Sequence, residues 1–236
     1  MMTNLRTINK MDWDSHPAFL DEGYQSTLLR GPTKPLIPIP QTVSELTGPV
    51  YGHESVGPLD HDLTKNAIMN GEPIGERIVV TGKLQDEFGQ PISNTLIEIW
   101  QANSAGRYIQ SEDTHDAPLD PNFFGGGRCV TDKEGNYKFY AVRPGAYPWG
   151  NHPNAWRPPH IHFSLIGPSF AQRLITQMFF PGDPLLDLDP IFLGTPEHAR
   201  DRLVAKFSLD ASEPEFALGY VFDIVLRGQN ATPMES

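Results

Sequence analysis

The stretch Arg157-Pro158-Pro159-His160-Ile161-His162-Phe163-Ser164-Leu165 holds the densest chemistry of the chain. After the two prolines, polar and apolar residues alternate with a period of two, which predicts a strand with differently treated faces. His160 and His162 then share a face one pleat repeat apart. Two imidazoles converging from such positions make half of a metal site; the simpler alternative is a polar sheet face that carries two histidines by chance. Two tyrosines stand in polar, glycine-containing stretches nearby: Tyr108 in Asn103-Ser-Ala-Gly-Arg-Tyr108, and Tyr147 in Pro144-Gly-Ala-Tyr-Pro-Trp149. A phenol titrates near ~10 in water, so only a strongly polarising cation or a cationic neighbour holds it as phenolate near neutral pH. Zinc is bound mostly by His, Cys and carboxylate, whereas a hard trivalent ion suits two phenolates and two imidazoles. A set of two tyrosines and two histidines therefore points to ferric iron. Seven tyrosines are available, so spacing alone does not select this pair.

The elements that must position these side chains are short. Arg77–Leu84, Thr95–Gln101, Asn136–Val142, His160–Ile166, Leu174–Phe180 and Phe216–Arg227 read as strands. Ser104–Gly127 and Arg143–Trp156 read as long loops, and Glu197–Phe207 has helix composition. Many short strands with Gly/Pro turns and little helix predict an all-β sandwich or barrel. The pattern Val80-x-Gly-Lys-x-x-Asp86-x-x-Gly-x-Pro91, then Thr131-Asp-x-x-Gly-x-Tyr-x-Phe139, then Arg143-Pro-Gly-Ala-Tyr147, resembles prealbumin-like β-sandwich modules. Many of those only bind or space, and there the tyrosine after Pro-Gly is a packing residue. Residues 1–75 look irregular, with Pro32, Pro35, Pro38 and Pro40 suiting an extended arm and Thr42–Leu46 suiting a short helix start. The expected organisation is an N-terminal arm and subunit-interface segment over 1–75 and a catalytic sandwich over 76–236. An arm of this kind makes most sense packed on a neighbouring subunit.

Composition sets the outer limits. A formal charge of −11 argues against nucleic acid or an anionic membrane as partner. The single cysteine, Cys129, allows no internal disulfide and no Cys-based metal cluster. Met1–Asp14 has no apolar run of signal-peptide length, and no stretch approaches the ~20 apolar residues of a membrane span, so a cytoplasmic location is expected.

Taken together, Gly106-Arg-Tyr108, Pro144-Gly-Ala-Tyr147-Pro-Trp149 and Trp156-Arg157-Pro-Pro-His160-Ile-His162-Phe163 resemble the intradiol ring-cleavage dioxygenases. Glu98-Ile-Trp-Gln-Ala-Asn103, Asp120-Pro-Asn-Phe123 and Phe222-Asp-Ile-Val-Leu-Arg-Gly228 extend the resemblance, which runs from about Tyr24 to Thr232. It is strongest to the iron-bearing β subunits of the hetero-oligomeric members. The resemblance implies a prealbumin-like β-sandwich and one non-haem Fe(III) per chain, held by Tyr108, Tyr147, His160, His162 and a hydroxide. Three positive charges are then balanced by two phenolates and one hydroxide, which matters where an uncompensated charge is costly.

The resemblance also implies that Tyr147 leaves on substrate binding as a neutral phenol, acting as an internal base. Arg157 would stabilise the ketonised, negatively charged substrate, with Gln177 a polar contact near the same carbon. Tyr24 would meet the carboxylate of the substrate, and Trp149 and Ile191 would be apolar walls. The expected reaction is cleavage of protocatechuate by O2 to 3-carboxy-cis,cis-muconate, in aromatic catabolism through the β-ketoadipate pathway. The expected partner is an α subunit of similar fold. Ordinary alternatives stand beside these roles: a surface arginine stacked on Trp156, a sheet-face glutamine, an exposed arm tyrosine, core packing for Trp149 and Ile191. His152, His16, His53, His61, His115 and His198 read as surface or structural histidines. Two other functions compete with ring cleavage: a non-catalytic prealbumin-like binding module, and a divalent-metal hydrolase built on His160 and His162. Ferric phenolate is coloured and the alternatives are not.

Overall fold

The computed structural model describes residues 13–18, 34, 53–67, 69–151, 154–166 and 173–235. Tyr24, His152, all of the proline-rich run except Lys34, and the expected helix start at Thr42 lie outside the described residues. The strands are β1 (Arg77–Gln85), β2 (Leu96–Trp100), β3 (Gly126–Val130), β4 (Asn136–Val142), β5 (Tyr147–Trp149), β6 (Ala155–Arg157), β7 (His160–Ile166), β8 (Arg173–Phe179), β9 (Lys206–Phe207), β10 (Leu218–Val221) and β11 (Ile224–Val225). Two short helices follow β8: α1 (Pro190–Gly194) and α2 (Glu197–Arg200). Among the described residues no helix is long and apolar enough to cross a membrane.

One sheet is mixed: β1 pairs antiparallel with β4 on one side and parallel with β10 and β11 on the other, and β9 extends β10. The second sheet runs β3-β2-β7-β8 and is antiparallel throughout. A separate hairpin pairs β5 with β6. Alternation on the central strands builds the core between the sheets. Ile78, Val80 and Leu84 of β1 face Ile161, Phe163 and Leu165 of β7, all essentially inaccessible to water. The Phe163 ring meets Phe222 at 5.2 Å, Phe139 at 5.8 Å and Tyr137 at 6.1 Å between centroids. Leu63, from the segment before β1 that reads as arm, is fully buried in the same core. At Gly82 a Cβ would stand 1.9 Å from the Phe222 carbonyl oxygen, so only glycine lets β1 pass under that turn. The Tyr137 hydroxyl donates to the same carbonyl.

The two faces of β7 differ in polarity as the alternation predicts, and both are buried: His160, His162 and Ser164 on one, Ile161 and Phe163 on the other. Several local expectations are corrected. The loop read as ending at Gly127 ends one residue before Gly126, since Gly126 and Gly127 pair with Trp100 and Ile99 in β3; glycine carries no hydrophobic periodicity to reveal it. The loop 143–156 contains most of the β5–β6 hairpin, hidden by its proline and tryptophans. The helix expected over Glu197–Phe207 stops after one turn, passes through a 3-10 turn at Asp201–Leu203, and gives way to β9. The last strand is broken at Phe222-Asp223, where Phe222 turns into the core and the Asp223 carboxylate accepts from Lys83 N–H at 2.9 Å.

The exposed edge of β8 is closed on both ends. The Glu235 N–H donates to the Ile175 carbonyl at 2.7 Å, the Thr176 hydroxyl donates to Pro233 at 2.7 Å, and Ala205 N–H donates to Phe179 at 2.9 Å. Covering an edge strand removes a template for unwanted pairing. Here it also delivers the C-terminal segment to the outer face of the second sheet.

Candidate metal centre

That outer face carries the residues of interest. The register sets Trp100 of β2 and Gln177 of β8 on either side of His162, and Phe179 beside His160. Directly opposed residues of neighbouring antiparallel strands share a face, so these side chains form one patch. The Trp100 indole lies on the His162 ring at 4.7 Å with 3° between planes. Phe179 packs against His160 and against Phe192 of α1, closing the patch with a small apolar cluster.

The two tyrosines arrive from loops that brace each other. Asn103, at the end of β2, accepts from Ala105 N–H at 2.9 Å and Arg107 N–H at 3.0 Å through its side-chain oxygen, and its Nδ2 donates to Pro118. The Tyr108 N–H then donates to the Asp113 carboxylate at 2.7 Å. Gly106 has φ +78°, and a Cβ there would stand 2.1 Å from the Ala146 carbonyl oxygen. Only glycine allows the Tyr108 loop to touch the residue before Tyr147. Tyr147 itself opens β5, with Arg157 directly across in β6. The two phenol rings meet edge to face at 5.4 Å.

The four side chains converge. Tyr147 Oη lies 3.3 Å from His160 Nε2, His160 Nε2 lies 3.2 Å from His162 Nε2, and His162 Nε2 lies 3.2 Å from Tyr108 Oη. The far nitrogen of each imidazole fixes its tautomer. His160 Nδ1 is 2.7 Å from the Pro158 carbonyl oxygen, which only accepts, so Nδ1 carries the proton. His162 Nδ1 is 3.2 Å from the Glu235 carboxylate, with the same consequence. In the neutral form of each ring, Nε2 then presents its lone pair to a common point. Two lone pairs facing each other at 3.2 Å cannot hydrogen-bond, and a cation between them removes the conflict. Ligands about 2.0–2.2 Å from one ion, at angles of about 90–110°, lie about 2.8–3.6 Å apart. The donor spacing fits a single metal ion.

The electrostatics agree. Burial, then the Arg157 charge and the neighbouring His162, hold His160 well below the usual imidazole range, so it stays in the neutral, metal-binding form. Burial pushes the Tyr108 phenol well up, and Tyr147 adds to it; burial also raises Tyr147, against the pull of Arg157. Neither tyrosine ionises near neutral pH unless a strong cation supplies the compensation. Among the described residues no group of three or more His, Cys, Asp and Glu side chains stands at metal-binding spacing. The donor set is thus phenol-rich, which suits a ferric ion and not a carboxylate-completed divalent site.

Arg157 is almost fully buried and does not stack on Trp156, whose ring is 42% exposed. Its Nη2 donates to Gln177 Oε1 at 2.5 Å, its guanidinium lies 5.7 Å from the Trp149 ring centre, and its Nε sits 2.9 Å from Asp189 Oδ1. The Nε–H is not aimed along that last line, so the contact is Coulombic more than a directed hydrogen bond. Trp149 and Ile191 are half-buried rather than core. His16 is mostly buried and its Nδ1 accepts from Met234 N–H at 3.0 Å; His115 lies edge-on to Trp156 at 6.3 Å.

Three participants escape sequence reasoning. Trp100 is visible only through strand register. Asp189-Pro190 is a helix-start signal, an acidic cap before proline, that was available in the sequence. Glu235 lies 73 residues from its partner His162, and nothing local announces it. Burial alone would raise the Glu235 carboxyl, but the hydrogen bond and charge of His162, with Gln177 and Arg157, hold it below the usual range. A carboxylate that orients a ligating histidine is typically worth about 10–100-fold in metal affinity. Glu235→Gln is therefore expected to lose iron to a chelator about 10–100 times more readily than wild type while unfolding at a similar temperature. Unchanged chelation kinetics would remove Glu235 from the site.

Comparison with known proteins accords with this centre. A family model described as "Dioxygenase" matches residues 46–228, and one described as "Protocatechuate 3,4-dioxygenase beta subunit N terminal" matches residues 10–42. The chain is 66% identical to the protocatechuate 3,4-dioxygenase beta chain of Burkholderia cepacia, covering 95% of both chains. It is 35% identical to a catechol 1,2-dioxygenase of Candida albicans over 64% of this chain, spanning about half (51%) of that one. Among solved structures, 3-chlorocatechol 1,2-dioxygenase of Rhodococcus opacus shares the fold with a TM-score of 0.54 at 20% identity, over 71% of this chain and 64% of that one. A sandwich whose outer face gathers two tyrosines and two histidines, together with these matches, shows that the chain belongs to the intradiol ring-cleavage dioxygenases, non-haem iron enzymes that open a catechol between its two hydroxyls.

Proposed function

We propose that this chain is the iron-bearing subunit of an enzyme that cleaves protocatechuate with O2 to 3-carboxy-cis,cis-muconate, as a step of aromatic catabolism through the β-ketoadipate pathway in the cytoplasm. The observation that carries the reading is the chain of three contacts of 3.2–3.3 Å that joins Tyr147 Oη, His160 Nε2, His162 Nε2 and Tyr108 Oη. Tyr108, Tyr147, His160 and His162 would hold one Fe(III). When bound, the ferric ion draws electron density from a catecholate and opens a ring carbon to attack by O2. The 66% identity to a protocatechuate 3,4-dioxygenase beta chain supports the choice of substrate.

The chain's own residues have separable tasks. Tyr147 Oη accepts a proton from an arriving catechol hydroxyl and swings away as neutral phenol; the burial that raises its pKa favours that protonated state. His160 stays neutral, and both imidazoles are fixed, each held by its Nδ1 partner. Arg157 places a permanent positive charge beside Tyr147, where negative charge develops on the substrate, and Gln177 holds the guanidinium plane. Trp149 and Ile191 wall the ring, and Tyr24 meets the substrate carboxylate. Residues 1–75 serve as the arm that docks an α subunit of similar fold, and 76–236 as the catalytic sandwich; the match of residues 10–42 to a beta-subunit N-terminal family supports the role of the arm's first part, whereas the dioxygenase match begins at 46 and Leu63 packs in the sandwich core.

The test is a visible spectrum of the protein co-purified with its partner, before and after protocatechuate is added without oxygen. A red-brown band that shifts with substrate is expected. In Tyr147→Phe the band should change and substrate exchange should slow, because the proton acceptor is gone. A protein that stays colourless after iron reconstitution would overturn the reading.

A further inference from the structure

Asp189 has a position that helix capping alone does not explain. It is fully buried, yet it is an aspartate. It precedes Pro190 at the start of α1, a helix of five residues, and its carboxylate accepts from Ile191 N–H at 3.4 Å and Phe192 N–H at 3.3 Å. Serine or asparagine would satisfy those two N–H groups without bringing a charge out of water. The charge is accounted for by Arg157, whose Nε is 2.9 Å away and which is itself almost wholly buried. The same carboxylate therefore faces the backbone that presents Ile191 on one side and the guanidinium on the other.

The Arg157 head shows what this arrangement supplies. Gln177 holds one Nη at 2.5 Å, and the Trp149 ring lies beside the guanidinium. A single neutral hydrogen bond leaves the guanidinium free to pivot about that contact. A buried anion 2.9 Å from Nε, on the opposite edge of the fork, restrains that pivot by charge attraction, which is strong where water is excluded. We infer that Asp189 is a positioning residue for ring cleavage: its carboxylate fixes the Arg157 guanidinium and the first turn of the helix carrying Ile191 as one unit. The inference rests on the dioxygenase reading, because it assigns Asp189 a role only through Arg157 and the pocket wall.

The test uses the iron-loaded, assembled enzyme and compares Asp189→Asn, Arg157→Gln and the double variant. Asparagine keeps an oxygen for the helix cap but turns an N–H donor or a neutral oxygen toward Arg157. Asp189→Asn should keep its iron and its resting band and melt at a lower temperature, because the buried Arg157 guanidinium loses its counter-ion. Its kcat should fall about 10–100-fold with KM changed much less, the pattern of an interaction used in the transition state. The double variant should be no slower than Arg157→Gln alone, since residues that act through one another are not additive. Wild-type kcat in Asp189→Asn, losses that multiply in the double variant, or loss of iron would each overturn the inference. Asp189→Ser, which keeps a capping hydroxyl, is measured in parallel; if neither variant folds, Asp189 serves stability alone and the inference fails. Failure of the dioxygenase reading is distinguishable, because it would appear in the wild type as a missing band and missing turnover.

Discussion

His160→Ala is expected to yield a folded, nearly colourless protein whose ring-cleaving rate is lower by at least about 10^3-fold. The size follows from scale: an orienting partner behind a metal ligand is worth about 10–100-fold, so loss of a ligand itself must cost more. His160 is 1% exposed and its Nε2 lies within 3.3 Å of both Tyr147 Oη and His162 Nε2, so alanine removes the donor that joins the two halves of the site. The fold should survive, because the sandwich core lies on the opposite face of β7, in Ile161, Phe163 and Leu165. Residual iron, if any, would be held by Tyr108, Tyr147 and His162 and should shift the visible band. The measurements are iron per chain, the spectrum and turnover. A His160→Ala protein that keeps full iron and colour would show that the convergence of the four side chains is incidental packing.

How much of this was legible in the sequence depends on the distance over which each feature is set. The pair His160 and His162 is a same-face relation inside one strand, and period two reveals it without any knowledge of the fold. The sandwich class follows from strand length and turn chemistry, which are also local. The partner tyrosines are less legible: nothing in spacing picks Tyr108 and Tyr147 from seven, and their convergence depends on a backbone contact between Gly106 and Ala146 across two loops. Trp100, Asp189 and Glu235 reach the site only through register, capping and an edge contact between distant segments. The burial of β7 on both faces was illegible for a related reason. Alternation marks differently treated faces but not that both are dry, because the partners that let the polar face be buried, the Pro158 carbonyl for His160 and the Glu235 carboxylate for His162, lie outside the strand. The over-long helix after Glu197 has a different cause: apolar residues at Leu203 and Val204 fit a helical stripe, but Val204 is instead used to bridge Phe179 at the edge of β8.

Arg157→Met should have the second large effect, and its signature is a dependence on pH. The substitution removes a buried cation and leaves Asp189, 0% exposed, without its counter-ion. Breaking one member of a buried pair typically costs about 3–5 kcal/mol. Turnover should fall by about 10^2–10^3-fold, as when one preorganised donor is removed from developing negative charge. Burial already raises the Asp189 carboxyl above its ordinary value, and Arg157 is the chief influence opposing it. Without Arg157 the carboxyl rises further. A carboxyl whose folded-state pKa exceeds its unfolded value, near ~3.9, stabilises the fold when protonated and loses that contribution as pH rises through the folded value. The stability deficit of Arg157→Met should therefore be greatest at neutral pH and shrink on acidification, as Asp189 takes up a proton. Asp62, held low in the folded protein, works in the opposite direction but is untouched by Arg157 and cancels in the difference; Glu235 loses the lesser pull of Arg157, so its own contribution at neutral pH shrinks and adds to the deficit in the same sense. Urea unfolding of wild type and variant at pH 7 and at pH 5 reads this difference directly. Arg157→Met combined with Asp189→Asn should regain much of the lost stability at pH 7 and none of the lost turnover, because neutralising both partners removes the stranded charge without restoring the guanidinium. A deficit that is the same at both pH values would mean that the loss comes from packing around Arg157 and not from the pairing with Asp189.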